Sequence, residues 1–301
     1  MRPGPTRASA ARFHRPKGSS ELIDLHVHTT ASDGRLTPAE AVMEAVSRGL
    51  TAIAITDHDV LSGLDEAVAA APPSLEVVPG IEMTASSDGP RAVHVLGYFI
   101  DPANASLLAA LDDARTLMGR HVDTVLAGIK AVGGHLQRAD LDRYRHRYAG
   151  GAALVLGMLE QGVLRGAPAG TGMHLLRQAA AEPRAYTVDQ AVQLIHGAGG
   201  VASLAHPAKL KRGHPLLDRT ELEPLILGSN FDALEAWQWI PGGWGSRHYL
   251  AVALELGILV SGGSDDHGKR AADGAMRLGA QPVPDEVLDA LRERALALRA
   301  A

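Results

Sequence analysis

The chain has 301 residues, of which 46% are hydrophobic and 21% charged, with a formal net charge of −5 and no cysteine. That length can bury a substantial core, as one large domain or as one domain carrying an insertion. The acidic balance gives no reason to expect a general binder of duplex nucleic acid or of membrane surfaces, and no apolar run approaches the length of a membrane span. Without cysteine there is no disulfide framework and no thiolate ligand, so any metal must be held by His and carboxylates, a donor set suited to Mn, Fe or Zn.

Residues 1–20 carry Arg2, Arg7, Arg12, Arg15 and Lys17, with no acid before Glu21. The segment lacks the apolar core of a secretion signal. Arg-rich and acid-free, it also fits a transit peptide, but three prolines and no helical periodicity favour a disordered basic leader. The protein is expected to be cytoplasmic. Next, "LIDLHVH" alternates as a strand, and His26 and His28, two apart, point to the same face. In "TPAEAVMEAVSRG", Thr37 reads as an N-cap, Pro38 as the first helical residue, Glu40 as the partner in a capping box and Gly49 as the stop. "LTAIAITDHD" reads as a buried strand, "SGLDEAVAAA" as a short helix, and "LEVVPGIEMT" and "AVHVLGYFI" as strands. From about residue 104 to 183 the period is helical and no strong strand intervenes. "TVDQAVQLIHGAGG" then opens on a second capping box, Thr187 with Gln190, before "VASLAHP", "DALEAWQW", "RHYLAVALELG" and "ILVSGGSDDHG" restore the alternation. Apolar strands alternating with helices predict a parallel barrel or a doubly wound sheet. The expected division is a leader at 1–20, a barrel built from 21–103 and 184–301, and a helical insertion at 104–183 that caps the barrel mouth.

The fourteen histidines are placed unevenly. His26 and His28 close the first strand, His58 ends "AIAITDH", His94 lies in "AVHVLG", His206 ends "VASLAH", and Asp265 and His267 end "ILVSGGSDDH". Glu82 ends "VVPGIE", and Asp33 lies in the loop after the first strand. In parallel α/β folds the carboxyl ends of the strands form the active-site face. Any one of these residues alone is more simply a turn or core residue. Nine of them together predict convergence on a metal site. Ser32, Asp57 and Asp59 lie beside ligand candidates and either orient imidazoles or cap local turns. His121, His135, His146, His174, His196, His214 and His248 are expected to be structural or exposed.

In this order, "DLHVHTTASDG", "ITDHD", "PGIEMT", "VHVLGYFID", "AHP" and "GGSDDHG" resemble the polymerase-and-histidinol-phosphatase (PHP) family of metal-dependent phosphoesterases, over about residues 22 to 268. The resemblance implies a distorted (β/α)7 TIM-like barrel holding two or three divalent ions. By position, His26, His28, Glu82 and Asp265 would hold the first ion. Glu82 would bridge to a second held by His94 and His206, and Asp33, His58 and His267 would form a third site. A water bridging the ions would ionise near neutrality and attack phosphorus in line.

The helical insertion resembles the branch that includes 3′,5′-nucleoside bisphosphate phosphatases and 5′→3′ exoribonucleases. The implied substrates are phosphate monoesters of nucleotides, such as AMP or a 3′,5′-nucleoside bisphosphate, or short 5′-phosphorylated RNA. The alternative is another small metabolite such as histidinol phosphate or a sugar phosphate. Where relatives often read Gly-Arg-Pro-His this chain has "GGAALV", with Ala153 near the expected His. It has "PGGW" after "LEAW", and Asp266 between the last Asp and His. These departures fall on substrate positions and leave the metal positions intact. Lys209, Arg184 and Arg247 are candidate phosphate contacts. Trp237, with Trp239 and Trp244 nearby, either forms a base-stacking wall or packs the barrel.

Overall fold

The computed structural model describes residues 22–86, 92–141, 151–163, 165, 170–210, 216–240, 243–244, 246–268, 277–281 and 283–301. The basic leader lies outside them, as do His146 and His214.

In chain order the strands are β1 (Leu22–Val27), β2 (Leu50–Ile55), β3 (Glu76–Ala85), β4 (Val93–Tyr98), β5 (Val201–Leu204), β6 (Ala233–Trp237), β7 (Trp239–Ile240), β8 (Gly243–Trp244), β9 (Leu259–Gly262) and β10 (Val283–Pro284). The helices are α1 (Pro38–Ser47), α2 (Leu64–Ala70), α3 (Ala105–Ala131), α4 (Arg138–Leu141), α5 (Gly151–Glu160), α6 (Thr171–Ala180), α7 (Val188–Gly197), α8 (Arg219–Gly228), α9 (Ser246–Leu256) and α10 (Glu286–Arg299). One sheet runs β10-β1-β2-β3-β4-β5-β6-β9, and β7 with β8 forms a separate ribbon. The seven strands from β1 to β9 curl into a barrel. Its seam closes just beyond β9, where the His28 N–H donates to the Asp266 carbonyl at 2.9 Å and the Asp266 N–H to the His26 carbonyl at 3.3 Å. The short β10 lies antiparallel on the outer edge of β1.

The barrel is not all-parallel. β4 runs antiparallel to both β3 and β5. β3 changes partner midway: Glu76 to Pro79 pair in parallel with β2, and Gly80 to Ala85 pair antiparallel with β4. Glu82 therefore lies inside a long strand rather than at its end. His94 lies at the start of β4, and reversing that strand brings its first residues to the rim where the other strands finish. A purely parallel reading would have sent His94 to the opposite end.

Local chemistry explains the elements. Thr37 and Thr187 each accept from the third helical N–H, and Glu40 and Gln190 return the bond to the cap, completing both capping boxes. Gly49 takes φ +73° between α1 and β2, a conformation that glycine adopts without strain. Along β2 the period of two sends Ala52 and Ala54 into the main core, while Ile53 and Ile55 pack with Val42, Ala45 and Leu64 of α1 and α2.

The residues between β4 and β5 are helical, with no strand among the described residues. The helix α3 serves two cores. Leu107, Leu111 and Ala114 join the barrel core, whereas Val122, Val125 and Ile129 build a separate one with Leu136, Leu141, Leu154, Met158, Leu175 and Ala179. Among the described residues, no helix is long and apolar enough to cross a membrane.

Candidate metal centre

The strand β1 delivers His26, and His28 follows directly after it on the same face, both essentially without solvent exposure. The turn that follows is organised by Asp57 after β2. Its carboxylate accepts the Thr29 N–H at 2.7 Å, the Ser32 N–H at 3.2 Å and the hydroxyls of Thr29 and Ser32 at 2.7 and 2.6 Å. Asp57 and Ser32 thus shape the loop that presents Asp33, the Asp57 carboxylate bonding the loop rather than an imidazole. Gly34 is required there, because a Cβ would run into the His28 carbonyl.

Glu82 is the hub. Its Oε1 lies 3.0 Å from His94 Nδ1 and 2.9 Å from His206 Nε2. Its Oε2 lies 3.3 Å from His26 Nε2, 3.2 Å from His28 Nε2 and 3.1 Å from His58 Nδ1. Five imidazoles from β1, β4 and the segments following β2 and β5 therefore face one fully buried carboxylate. Asp265 Oδ1 stands 3.5 Å from His26 Nε2 and 3.3 Å from His28 Nε2. His267 Nε2 lies 3.2 Å from Asp33 Oδ2.

All nine sequence-predicted residues come together. Three groups have ligand atoms mutually within 4.8 Å: His26, His28, Glu82 and Asp265; His28, Asp33, His58 and His267; and His58, Glu82 and His94. The first matches the expected first site. The second matches the expected third site with His28 added. In the remaining group His58 stands beside Glu82 and His94, while His206 reaches the same carboxylate from the other side.

The donor atoms fit divalent ions better than they fit one another. His28 Nδ1, Asp33 Oδ1, His58 Nδ1, Glu82 Oε2 and His206 Nδ1 are buried with no hydrogen-bond partner. His58 Nδ1 and Glu82 Oε2 are apposed at 3.1 Å without hydrogen-bond geometry, as two lone pairs would be around a shared cation. Burial alone would raise the Glu82 carboxyl. The surrounding imidazoles of His58, His26 and His94 and the hydrogen bond from His206 outweigh it and hold the carboxyl well below its usual range. Asp265 is held down in the same way, against burial, chiefly by His26, His28 and Lys209. Burial pushes His58 down to about 3, which leaves its imidazole neutral and able to ligate. The carboxylates are thus anionic and the His58 imidazole neutral, as ligation requires, whereas the facing carboxylates raise His26 and His28 against burial, so an ion bound there would displace their protons.

Three further residues were not singled out from sequence. Glu235 on β6 is buried, with Oε1 2.8 Å from His26 Nδ1 and Oε2 accepting the His206 N–H at 2.5 Å. Asp24, on the same face of β1 as the two histidines, accepts N–H bonds from His26, Ser264 and Gly279, yet burial still lifts its carboxyl to about 6. Tyr186, just after the helical segment, donates its hydroxyl to Asp59, which also accepts the Thr84 N–H at 2.9 Å. A signal for Glu235 was available: a lone carboxylate in the otherwise apolar "ALEAW" strand needs a buried partner.

The substrate candidates are dispersed. Lys209, in a 3₁₀ turn at Pro207–Lys209, places its ammonium on Asp265 beside the cluster. Arg184 pairs with Glu182 at 3.4 Å, and Arg247 is exposed on α9. Trp237 is buried in the barrel core at 5% exposure, where its ring packs. Histidines expected to be structural behave so where their contacts are described: His196 bonds Asp232, and His248 and His121 bond backbone carbonyls.

A barrel whose rim gathers eight His and Asp side chains around the buried Glu82 defines a metal-dependent phosphoric ester hydrolase. The chain belongs to the PHP domain family, whose profile matches residues 24–182. It is 31% identical over 265 residues to a 3′,5′-nucleoside bisphosphate phosphatase of Chromobacterium violaceum, covering 81% of this chain and 87% of that one. It is 30% identical over 263 residues to the 5′-3′ exoribonuclease Rnm of Salmonella typhimurium, covering 82% and 85%. A solved chain from Bifidobacterium adolescentis, assigned as a metal-dependent phosphoesterase, superposes with a TM-score of 0.71 at 25% identity, covering 92% of this chain and 97% of that one.

Proposed function

We propose that this chain hydrolyses phosphate monoesters of nucleotides, AMP or 3′,5′-nucleoside bisphosphates, or short 5′-phosphorylated RNA, using two or three divalent ions. The proposed ligands are His26, His28, Asp33, His58, Glu82, His94, His206, Asp265 and His267. The observation that carries the reading is Glu82, a buried carboxylate with both oxygens turned to imidazoles, with Asp265 in one of its groups and Asp33 in the adjoining group that shares His28 and His58. Divalent ions bound there would supply Lewis acidity, lowering the pKa of bound water and offsetting charge on the phosphoryl oxygens. The three proposed ligand carboxylates would offset only part of the charge of such ions, so the pocket would attract a phosphate dianion into a protein that is acidic overall.

The protein's own residues then have distinct tasks. Glu82 and Asp265 stay ionised against burial and hold their imidazoles in register. Asp57 fixes the loop that carries Asp33. Lys209 leaves Asp265 to meet a substrate phosphate at the rim. The separate apolar core of α3 to α6 supports treating 104–183 as an inserted unit on a barrel of 21–103 and 184–301. The names of the relatives support the nucleotide class of substrate.

Phosphate release by Mn-loaded protein tests the reading against AMP, 3′,5′-adenosine bisphosphate, a 5′-phosphorylated tri-ribonucleotide, histidinol phosphate and a sugar phosphate. Preference for the nucleotides supports it. Turnover of only histidinol phosphate or a sugar phosphate replaces it with the metabolite reading.

A further inference from the structure

We propose that Glu235 is the positioning residue of the centre. It sets the tautomer of His26 and pins the backbone of His206, so that one buried carboxylate governs a ligand on each side of Glu82. The proposal rests on the metal-centre reading and extends it to a residue outside the nine.

Both oxygens of Glu235 are committed. Oε1 lies 2.8 Å from His26 Nδ1, and Oε2 accepts the His206 N–H at 2.5 Å. A backbone N–H can only donate, so Oε2 must accept. With Oε1 also an acceptor, His26 Nδ1 must carry a hydrogen. In the neutral ring that ligates a metal, the other nitrogen, Nε2, then carries the lone pair. It is also the one turned to the cluster, 3.1 Å from His28 Nε2, 3.3 Å from Glu82 Oε2 and 3.5 Å from Asp265 Oδ1. A carboxylate behind an imidazole also raises its basicity as a ligand.

The second contact matters because His206 has φ +26°, in a region that non-glycine residues rarely occupy. Such a conformation persists where surrounding structure enforces it. Glu235 Oε2 holds the backbone nitrogen, and the Lys209 N–H closes the turn on the His206 carbonyl at 2.8 Å. The ring is thereby aimed at Glu82 Oε1, 2.9 Å away. Glu235 is itself fixed: it lies in the middle of β6, and its own carbonyl accepts the Gln238 side-chain amide at 2.7 Å.

No other side chain of the same size satisfies both contacts. Glu235→Gln keeps the shape but offers one acceptor and one donor. If its oxygen serves His206, its NH2 faces His26 Nδ1 and forces the hydrogen onto Nε2, blocking ligation. If its oxygen serves His26, its NH2 opposes the His206 N–H.

The test uses the full-length protein with Zn²⁺, which is diamagnetic. Long-range ¹H–¹⁵N spectra of the Zn-loaded wild type should show His26 protonated at Nδ1 and coordinated through Nε2. Equilibrium dialysis should show Glu235→Gln losing at least about tenfold in Zn²⁺ affinity, with an unchanged circular dichroism spectrum. A space-filling role predicts no loss from this isosteric change. Wild-type affinity in Glu235→Gln overturns the proposal, as does coordination of His26 through Nδ1. If the variant does not fold, the wild-type spectrum alone decides. Wild-type protein that binds no Zn²⁺, Mn²⁺ or Fe²⁺ overturns the metal-centre reading itself, an outcome distinct from Zn²⁺ bound without regard to Glu235.

Discussion

Gly263 lies directly against His26. A Cβ at position 263 would collide with the backbone nitrogen and Cβ of His26 and would approach Asp24 Oδ1 to 2.8 Å. The "GGSDDHG" segment can therefore return along β1 only with glycine at this point, and that return carries Asp265 and His267 to the cluster. Gly263→Ala should push the two segments apart, lowering stability by about 1–3 kcal/mol, the cost of overpacking. Metal affinity should fall with it. Thermal denaturation and metal dialysis of the variant check this, and an unchanged melting temperature would contradict the packing argument.

The ligand roles predict a clean separation of activity from folding. His28→Ala or Asp265→Asn should lower phosphate release by more than about 100-fold, beyond the range seen for residues that only support a ligand. The circular dichroism spectrum should be retained, because neither residue belongs to an apolar core. Full activity in either variant would remove the residue from the centre.

Removal of metal should destabilise as well as inactivate. Buried donor atoms that face one another in the cluster, such as His58 Nδ1 and Glu82 Oε2, have no hydrogen-bond partner, so ions that bind the folded state there would raise its stability through mass action. At a hundredfold excess over Kd that contribution is about 2.7 kcal/mol per site. Chelator should lower the melting temperature, and Mn²⁺ should restore both stability and phosphate release. A melting temperature indifferent to chelator would argue against ions at this cluster.

Asp232 provides a test of the fold far from the chemistry. It is nearly fully buried before β6, and its carboxylate bonds His196 Nε2 at 2.7 Å, the Ala202 N–H at 2.9 Å and Arg294 Nε at 2.8 Å. Burial would raise its carboxyl, but His196, Ala202 and Arg294 together hold it below the ordinary value. A carboxyl depressed on folding stabilises above its unfolded pKa of about 3.9, and that stabilisation is lost as pH falls through the folded value. Asp232→Ala should cost about 2 kcal/mol at neutral pH. The gap from wild type should narrow on acidification below about pH 4. Melting temperatures of both proteins across that range measure it, and a gap independent of pH would reject the linkage.

The residue types and their local spacing were enough to single out the side chains that converge around Glu82. An H-x-H strand end, four further histidines in or after apolar runs and carboxylates beside glycines are all short-range patterns. So are the capping boxes at Thr37 and Thr187, which depend on residues three apart. Tertiary structure alone decided the direction of β4, because a strand's period of two is the same in either direction. That reversal brings His94 to Glu82. It alone decided that His58 stands between two donor groups, and that Trp237 turns into the core. It also joined Glu235 to His26, which is 209 residues away, by a 2.8 Å contact. The physical reason is common to these cases. Local sequence determines which side chains leave which face of an element, whereas contacts between distant elements follow from how strands pair and where buried polar atoms find partners.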